Sequence, residues 1–338
     1  MKRILLLNVI GFLLVSGSFG QTLQRTILSH DGVLTQYDAA HWQDAITNAV
    51  DGDIVYFTPG TFSGDITINK AISLIGAGVS VTDCFYPSAY GDYCTTGEST
   101  TISGNIDIAI PGSRTLTAPV LEGIRQIGYQ TKVIISQPVK NLTIKRCQLS
   151  PESNVVSFKA TASVENLTLE SCYIQMLNCD NFVKPDIHNC YIVDFEYDPH
   201  VPEGTEFINC AIVYPRYFSN CRMTNCIVSE GMYDGPFTFK NCLCVMSSGS
   251  SSYTDCWNSS SLFSSNYPCE LSKAAILAKE EATPGLSIRG TDGKVVGPFG
   301  GPAPFTFKPS QPYVASSALN YNATTKKLNV TMTINKGE

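Results

Sequence analysis

Between residues 144 and 256 the chain repeats one short pattern seven times: an apolar residue, any residue, a polar turn-former, Cys, any residue and a second apolar residue. The copies end on Cys147, Cys172, Cys190, Cys210, Cys226, Cys242 and Cys256, and the seventh is degraded. Successive cysteines lie 25, 18, 20, 16, 16 and 14 residues apart. Self-similarity at this period predicts stacked repeats, each too small to bury its own apolar face. Apolar residues at Cys and at Cys+2 alternate as in a strand with one buried face. The residue before Cys is Asn at 189, 209, 225 and 241. Asn tolerates the left-handed backbone that a one-residue bend between strands requires. Stacked at the strand spacing of about 4.8 Å, these amides are expected to hydrogen-bond up the stack.

The cysteines in the pattern then read as small core hydrophobes. A metal reading is weak, because only His188 and His200 lie nearby and no CxxC pair occurs. Cys179 and Cys221 fall between the regular steps and take no assigned face. Thirteen Cys is an odd number, so at least one thiol has no partner within the chain. Cys84 and Cys94 flank a nine-residue loop and read as its staple.

Upstream, Trp42, Ala45, Ile46, Ala49 and Val50 keep helical spacing, and an amphipathic helix suits the lid of an open stack. The stretches GDIVYFTPGTF (52–62) and ISLIGAG (72–78) follow. Together with the coil-like segments NLTIKRCQL and NLTLESCYI, they resemble the opening and coils of pectate-lyase-like, or pectin-lyase-like, right-handed parallel β-helix proteins. Residues 282–301 resemble the closing coil of exported bacterial members. The resemblance covers about residues 36–302. It implies an all-β solenoid with an N-terminal capping helix, and it leaves function open, since that fold hosts lyases, hydrolases, esterases, adhesins and binding proteins.

Three segments are expected. Residues 1–20 read as a secretory signal peptide: Lys2 and Arg3 precede an apolar run to Val15, with small residues Ser18 and Gly20 before Gln21. Residues 21–302 form the parallel β-helix with its cap. Residues 303–338 form a tail with strands at Tyr313–Tyr321 and Leu328–Ile334, a hairpin too small to fold alone and expected to cap the last coil. The expected location is secreted, periplasmic or at the cell surface. No run after the signal is long enough to span a membrane.

With 23 Lys and Arg against 29 Asp and Glu, the net charge of −6 offers no basic excess for phosphates, so nucleic acid is excluded as a partner. The catalytic motifs of the resembled lyases and hydrolases are missing, and the catalytic residues are unknown. In Asp194-Phe195-Glu196-Tyr197-Asp198 three carboxylates alternate with two aromatics. Extended, Asp194, Glu196 and Asp198 point one way. They are the one candidate set for Ca²⁺ or for acid–base work, set against the plainer reading of a solvated loop around Pro199 and Pro202. Tyr214, Tyr217 and Tyr233 offer ring faces for sugars, Arg216 a fork for carboxylates, and Phe237 lies among them. The expectation is a monomeric, non-catalytic module binding polysaccharide or cell-surface glycan, with no cofactor unless Ca²⁺. The rivals are a divergent polysaccharide lyase or glycoside hydrolase and a purely structural envelope or adhesion protein.

Overall fold

The computed structural model describes residues 24–150, 156–196, 201–202, 204–215, 221–229, 237–246, 251–265, 267–310, 313–322 and 327–335. The signal-peptide expectation therefore lies outside the described residues. Among the described residues no helix is long and apolar enough to cross a membrane.

The chain is mainly β, with long parallel sheets and few helices. A twelve-stranded first sheet opens with an antiparallel pair, Arg25–His30 and Val33–Asp38, and Ile54–Phe57 adds to Arg25–His30, again antiparallel. Every later step is parallel, through Ser73–Ile75, Leu121–Glu122, Thr143–Lys145, Thr168–Glu170, Asp186–His188, Glu206–Ile208, Arg222–Thr224, Thr238–Lys240 and Ser252–Thr254. A fourteen-stranded second sheet takes the strand that follows each bend, from Gly60–Ser63 to Trp257–Asn258. A three-stranded sheet joins Val139–Lys140, Val164–Glu165 and Phe182–Val183.

Register makes the core. Leu121, Ile144, Leu169, Ile187, Phe207, Met223 and Phe239 are matched strand to strand in the first sheet, and all are fully buried. Opposite them stand the cysteines of the repeat, of which all but Cys256 are buried. Each Sγ lies close to backbone carbonyls, as Cys190 does to Leu169 O at 3.4 Å and His188 O at 3.3 Å. Burial pushes the thiols of Cys147, Cys190 and Cys226 well up. The helix Trp42–Asn48 buries Trp42, Ala45 and Ile46 in the same core.

The bends form as the repeat requires. Arg146, Ser171, Asn189, Asn209, Asn225, Asn241 and Asp255 all have φ between +50° and +57°. A second set, Asn141, Asn166 and Lys184, turns the chain back into the first sheet at φ +52° to +58°.

The bend amides depart from expectation. In the second set Asn166 Nδ2 donates to Asn141 Oδ1 at 3.1 Å, whereas in the column before the cysteines only Asn241 reaches a neighbouring rung, at 3.5 Å from Asn225 Oδ1. The others turn outward to residues 288–310, a strap that runs back along the bends against the direction of the chain. Asn225 Nδ2 donates to Thr291 Oγ1 at 3.1 Å, Asn189 Nδ2 to Pro298 O and Gly300 O, and Arg146 to Lys308 O at 2.6 Å. The reason is geometric: a left-handed bend points its side chain outward, where strap carbonyls are nearer than the next rung. Residues 282–301, read from sequence as a closing coil, add no strand to either sheet.

Nor does the second sheet keep one open face. The residues just after the cysteines, including Tyr173, Tyr191, Ala211, Ile227 and Leu243, point out of the core and are buried all the same. They are covered by the loop stapled by the Cys84–Cys94 disulfide, by Ile276 of the helix Lys273–Ala282, and by Ile288, Val295, Phe299, Phe305 and Phe307 of the strap. Phe85 stacks on Tyr173 at 4.0 Å, and Tyr173 on Tyr191 at 5.5 Å. The strands Tyr313–Asn322 and Lys327–Asn335 form an antiparallel hairpin paired only with itself, with a bulge between Val314 and Ser316.

Candidate functional site

Among the described residues, the first sheet shows no such cover along its later strands. Each strand there has three residues, and the middle one points into the core. The two flanking residues face out, so parallel stacking lines them up in two rows. One row reads Thr143, Thr168, Asp186, Glu206, Arg222, Thr238 and Ser252. The other, beside the bends, reads Glu122, Lys145, Glu170, His188, Ile208, Thr224, Lys240 and Thr254. From Thr143 to Ser252 there are six strand steps, or about 29 Å at ~4.8 Å each.

Burial is graded along this face. Where the strap passes, Glu122 is 1% exposed and accepts from Ser310 N and, at 3.9 Å, faces Lys145 Nζ. Lys145, Glu170 and His188 are half-buried. Glu206, Ile208 and Thr224 are half-buried as well, while Asp186, Arg222, Thr238, Lys240 and Ser252 are exposed. His188 Nε2 stands 3.9 Å from both Glu170 Oε2 and Asp186 Oδ2. At that separation the contacts are electrostatic, not hydrogen bonds, and both carboxylates keep acceptor capacity toward solvent. One strand on, Thr224 Oγ1 donates to Glu206 Oε1 at 2.6 Å. The arrangement offers acceptors, donors and one imidazole at regular intervals, suited to hydroxyl-rich ligands and to proton exchange at His188.

The residues expected from sequence are on the other sheet. Asp194 and Glu196 sit at the far end of Tyr191–Phe195, with Phe195 between them buried in the core. Asp194 Oδ1 accepts from Phe195 N at 2.9 Å. Glu196 accepts from Asn178 Nδ2, which also donates to Asp180, so one amide bridges two carboxylates. Tyr214 follows one repeat later, its N–H bonded to Val193 O and its ring edge-on to Tyr267 at 6.4 Å. Asp194, Glu196 and Tyr214 thus share one region. Phe237 is 1% exposed and stacks on Phe239 within the core. Asp198, Arg216, Tyr217 and Tyr233 lie outside the described residues. Among the described residues, no group of three or more His, Cys, Asp or Glu is arranged to hold a metal ion.

Sequence reasoning passed over the first-sheet rows because they occupy variable slots of the repeat. The signal was present: the slot two before Cys holds Lys145, Glu170, His188, Ile208, Thr224, Lys240 and Thr254, six of them polar. No protein-family profile, no characterised protein and no solved structure matches this chain.

Proposed function

We propose that the chain is an exported right-handed parallel β-helix of the pectate-lyase-like group that binds an extended polysaccharide along the outer face of its first sheet. In this reading the helix Trp42–Asn48 closes the early end of the stack, and the strap, running back to Glu122, carries the C-terminal hairpin away from the last rung that it was expected to cap. The observation that carries the proposal is the contrast between the sheets. The outer face of the second is sealed by a loop, a helix and the strap, while among the described residues the first keeps two mostly polar rows half-buried to exposed over about 29 Å. A straight, regularly spaced face matches a polymer with a regular repeat.

Isothermal titration calorimetry against neutral, uronate and sulfated polysaccharides tests this. Arg222→Ala with Lys240→Ala is expected to weaken binding tenfold or more, about 1.4 kcal/mol, with an unchanged melt. Absence of binding to every polymer in the panel overturns the proposal in favour of a structural role.

The placement of His188 between Glu170 and Asp186 favours a second reading, a divergent glycosidase or lyase using His188 in proton transfer. Release of reducing ends or of an unsaturated product from a bound polymer, abolished by His188→Ala, distinguishes it from binding alone.

A further inference from the structure

Although the cover seals the outer face of the second sheet, its margin presents aromatic rings to solvent. Tyr86 is 41% and Tyr267 43% exposed, large for residues with so much apolar surface to bury. They come from distant segments, the disulfide loop and the turn before the short 3₁₀ helix Pro268–Glu270. Tyr214, from a third, meets the Tyr267 ring edge-on at 6.4 Å. Tyr86 lies beside Tyr191, ring centroids 5.9 Å apart, with φ of +41°, a left-handed backbone that an aromatic residue adopts only under constraint.

Two features mark this margin as more than scattered apolar surface. The Tyr191 ring is completely buried, and its hydroxyl has no hydrogen-bond partner of good geometry. A buried phenol without a partner is costly unless something arrives to satisfy it, and here it lies behind the partly exposed Tyr86 ring. A hydrogen bond from the Tyr90 hydroxyl to Cys269 O at 2.9 Å ties the disulfide loop to the turn that carries Tyr267 and the exposed Glu270, and burial followed by the Glu270 charge pushes the Tyr86 phenol up. Tyr86 therefore stays a neutral donor across the physiological range.

We propose that Tyr86, Tyr214 and Tyr267, with Glu270 and the Tyr191 hydroxyl, form a binding subsite for a neutral pyranose ring, separate from the first-sheet face. Tyrosine faces stack on the apolar C–H face of a sugar. Glu270 accepts from its hydroxyls, and a sugar hydroxyl reaching past Tyr86 partners the Tyr191 phenol. The same carboxylate disfavours uronates, which bring like charge to it. The inference does not depend on the first-sheet reading, since either face can bind without the other.

Calorimetric titration with cellohexaose, mannohexaose and hexagalacturonate tests it. At least one neutral hexamer is expected to bind, hexagalacturonate at least tenfold more weakly at this subsite. Tyr86→Ala with Tyr267→Ala is expected to lose tenfold or more. Tyr191→Phe, which keeps the ring and the packing, is expected to lose threefold or more. Neutral-hexamer binding that Arg222→Ala with Lys240→Ala abolishes and Tyr86→Ala with Tyr267→Ala spares belongs to the first-sheet face and overturns the inference, so the two proposals read separately. No binding of either neutral hexamer by the wild-type protein overturns the inference. So does full affinity in the tyrosine double variant, or equal binding of hexagalacturonate abolished by that variant.

Discussion

Asn225 and Thr291, 66 residues apart, exchange two hydrogen bonds: Asn225 Nδ2 donates to Thr291 Oγ1, and Thr291 N donates to Asn225 Oδ1, each at 3.1 Å. With Gly297 N donating to Asn225 O at 2.6 Å, this residue serves both as a bend and as an anchor for the strap. Asn225→Gly keeps the bend and loses the side-chain bonds, an expected cost of about 1–3 kcal/mol at roughly 1 kcal/mol per bond. Asn225→Val loses the bonds and puts a branched side chain at φ +57°, adding about 1–2 kcal/mol. Denaturant melts ranking wild type above Gly and Gly above Val are expected, and equal Gly and Val melts would refute the dual role.

The partner side of the anchor is equally exacting. Gly301 has φ +77°, and a Cβ there falls 2.4 Å from Asn209 Nδ2 and 3.2 Å from Asn189 Oδ1. Gly301→Ala is expected to destabilise by about 2 kcal/mol or more, combining left-handed strain with a clash against buried amides. Gly293, with φ +72° and open space around its Cβ position, is the control, expected to lose only the strain. Thermal melts of the two variants compare them directly.

The cysteine column is expected to be chemically silent. Ten of the eleven free cysteines are buried and Cys256 is partly exposed. Reaction requires thiolate and access, and burial denies both, pushing Cys221 and Cys269 up to about 12. With an aromatic disulfide reagent at pH 7.5, one fast thiol is expected in the native state and eleven in denaturant. Prompt labelling of several native thiols would contradict the column.

One pH dependence follows from the first strands. His30 Nδ1 lies 2.8 Å from Asp53 Oδ1, and the hydrogen bond and charge of Asp53 raise the His30 pKa from its ordinary 6.5. A raised histidine pKa stabilises fully below the unfolded value near 6.5 and loses that contribution as pH climbs through the folded value. Wild-type protein is therefore expected to lose more melting temperature than His30→Gln between pH 5.5 and pH 8.5. Parallel losses in the two proteins would remove His30 as the cause.

What the sequence disclosed is what local chemistry dictates. A left-handed bend admits few residue types, so Asn189, Asn209, Asn225 and Asn241 announce it, and the alternation around each Cys announces the core. The cover was not legible: Tyr173 and Tyr191 fill unconstrained slots of the repeat, and their shared partner Phe85 lies 88 and 106 residues before them, beyond the reach of any local period. The pairing of Glu170 with His188 was hidden likewise. It exists only through register, since 18 residues separate them in the chain while one parallel step joins them. Asp194 and Glu196 were visible because their carboxylates cluster in sequence, and the chain placed them on a different sheet from the charged rows.

The strap also sets an order of events. Ser310 closes on Glu122 and Lys308 on Arg146, spans of 188 and 162 residues. During synthesis these contacts wait until residues 308–310 have been made, so the repeats must first stack with their bend amides facing water. Folding then ends as a zipper, starting at Asn225 beside the newest rungs and finishing at Glu122 beside the oldest. A chain truncated before residue 286 has every strand of the stack and no fastener, and its rungs are free to fray one at a time from the late end.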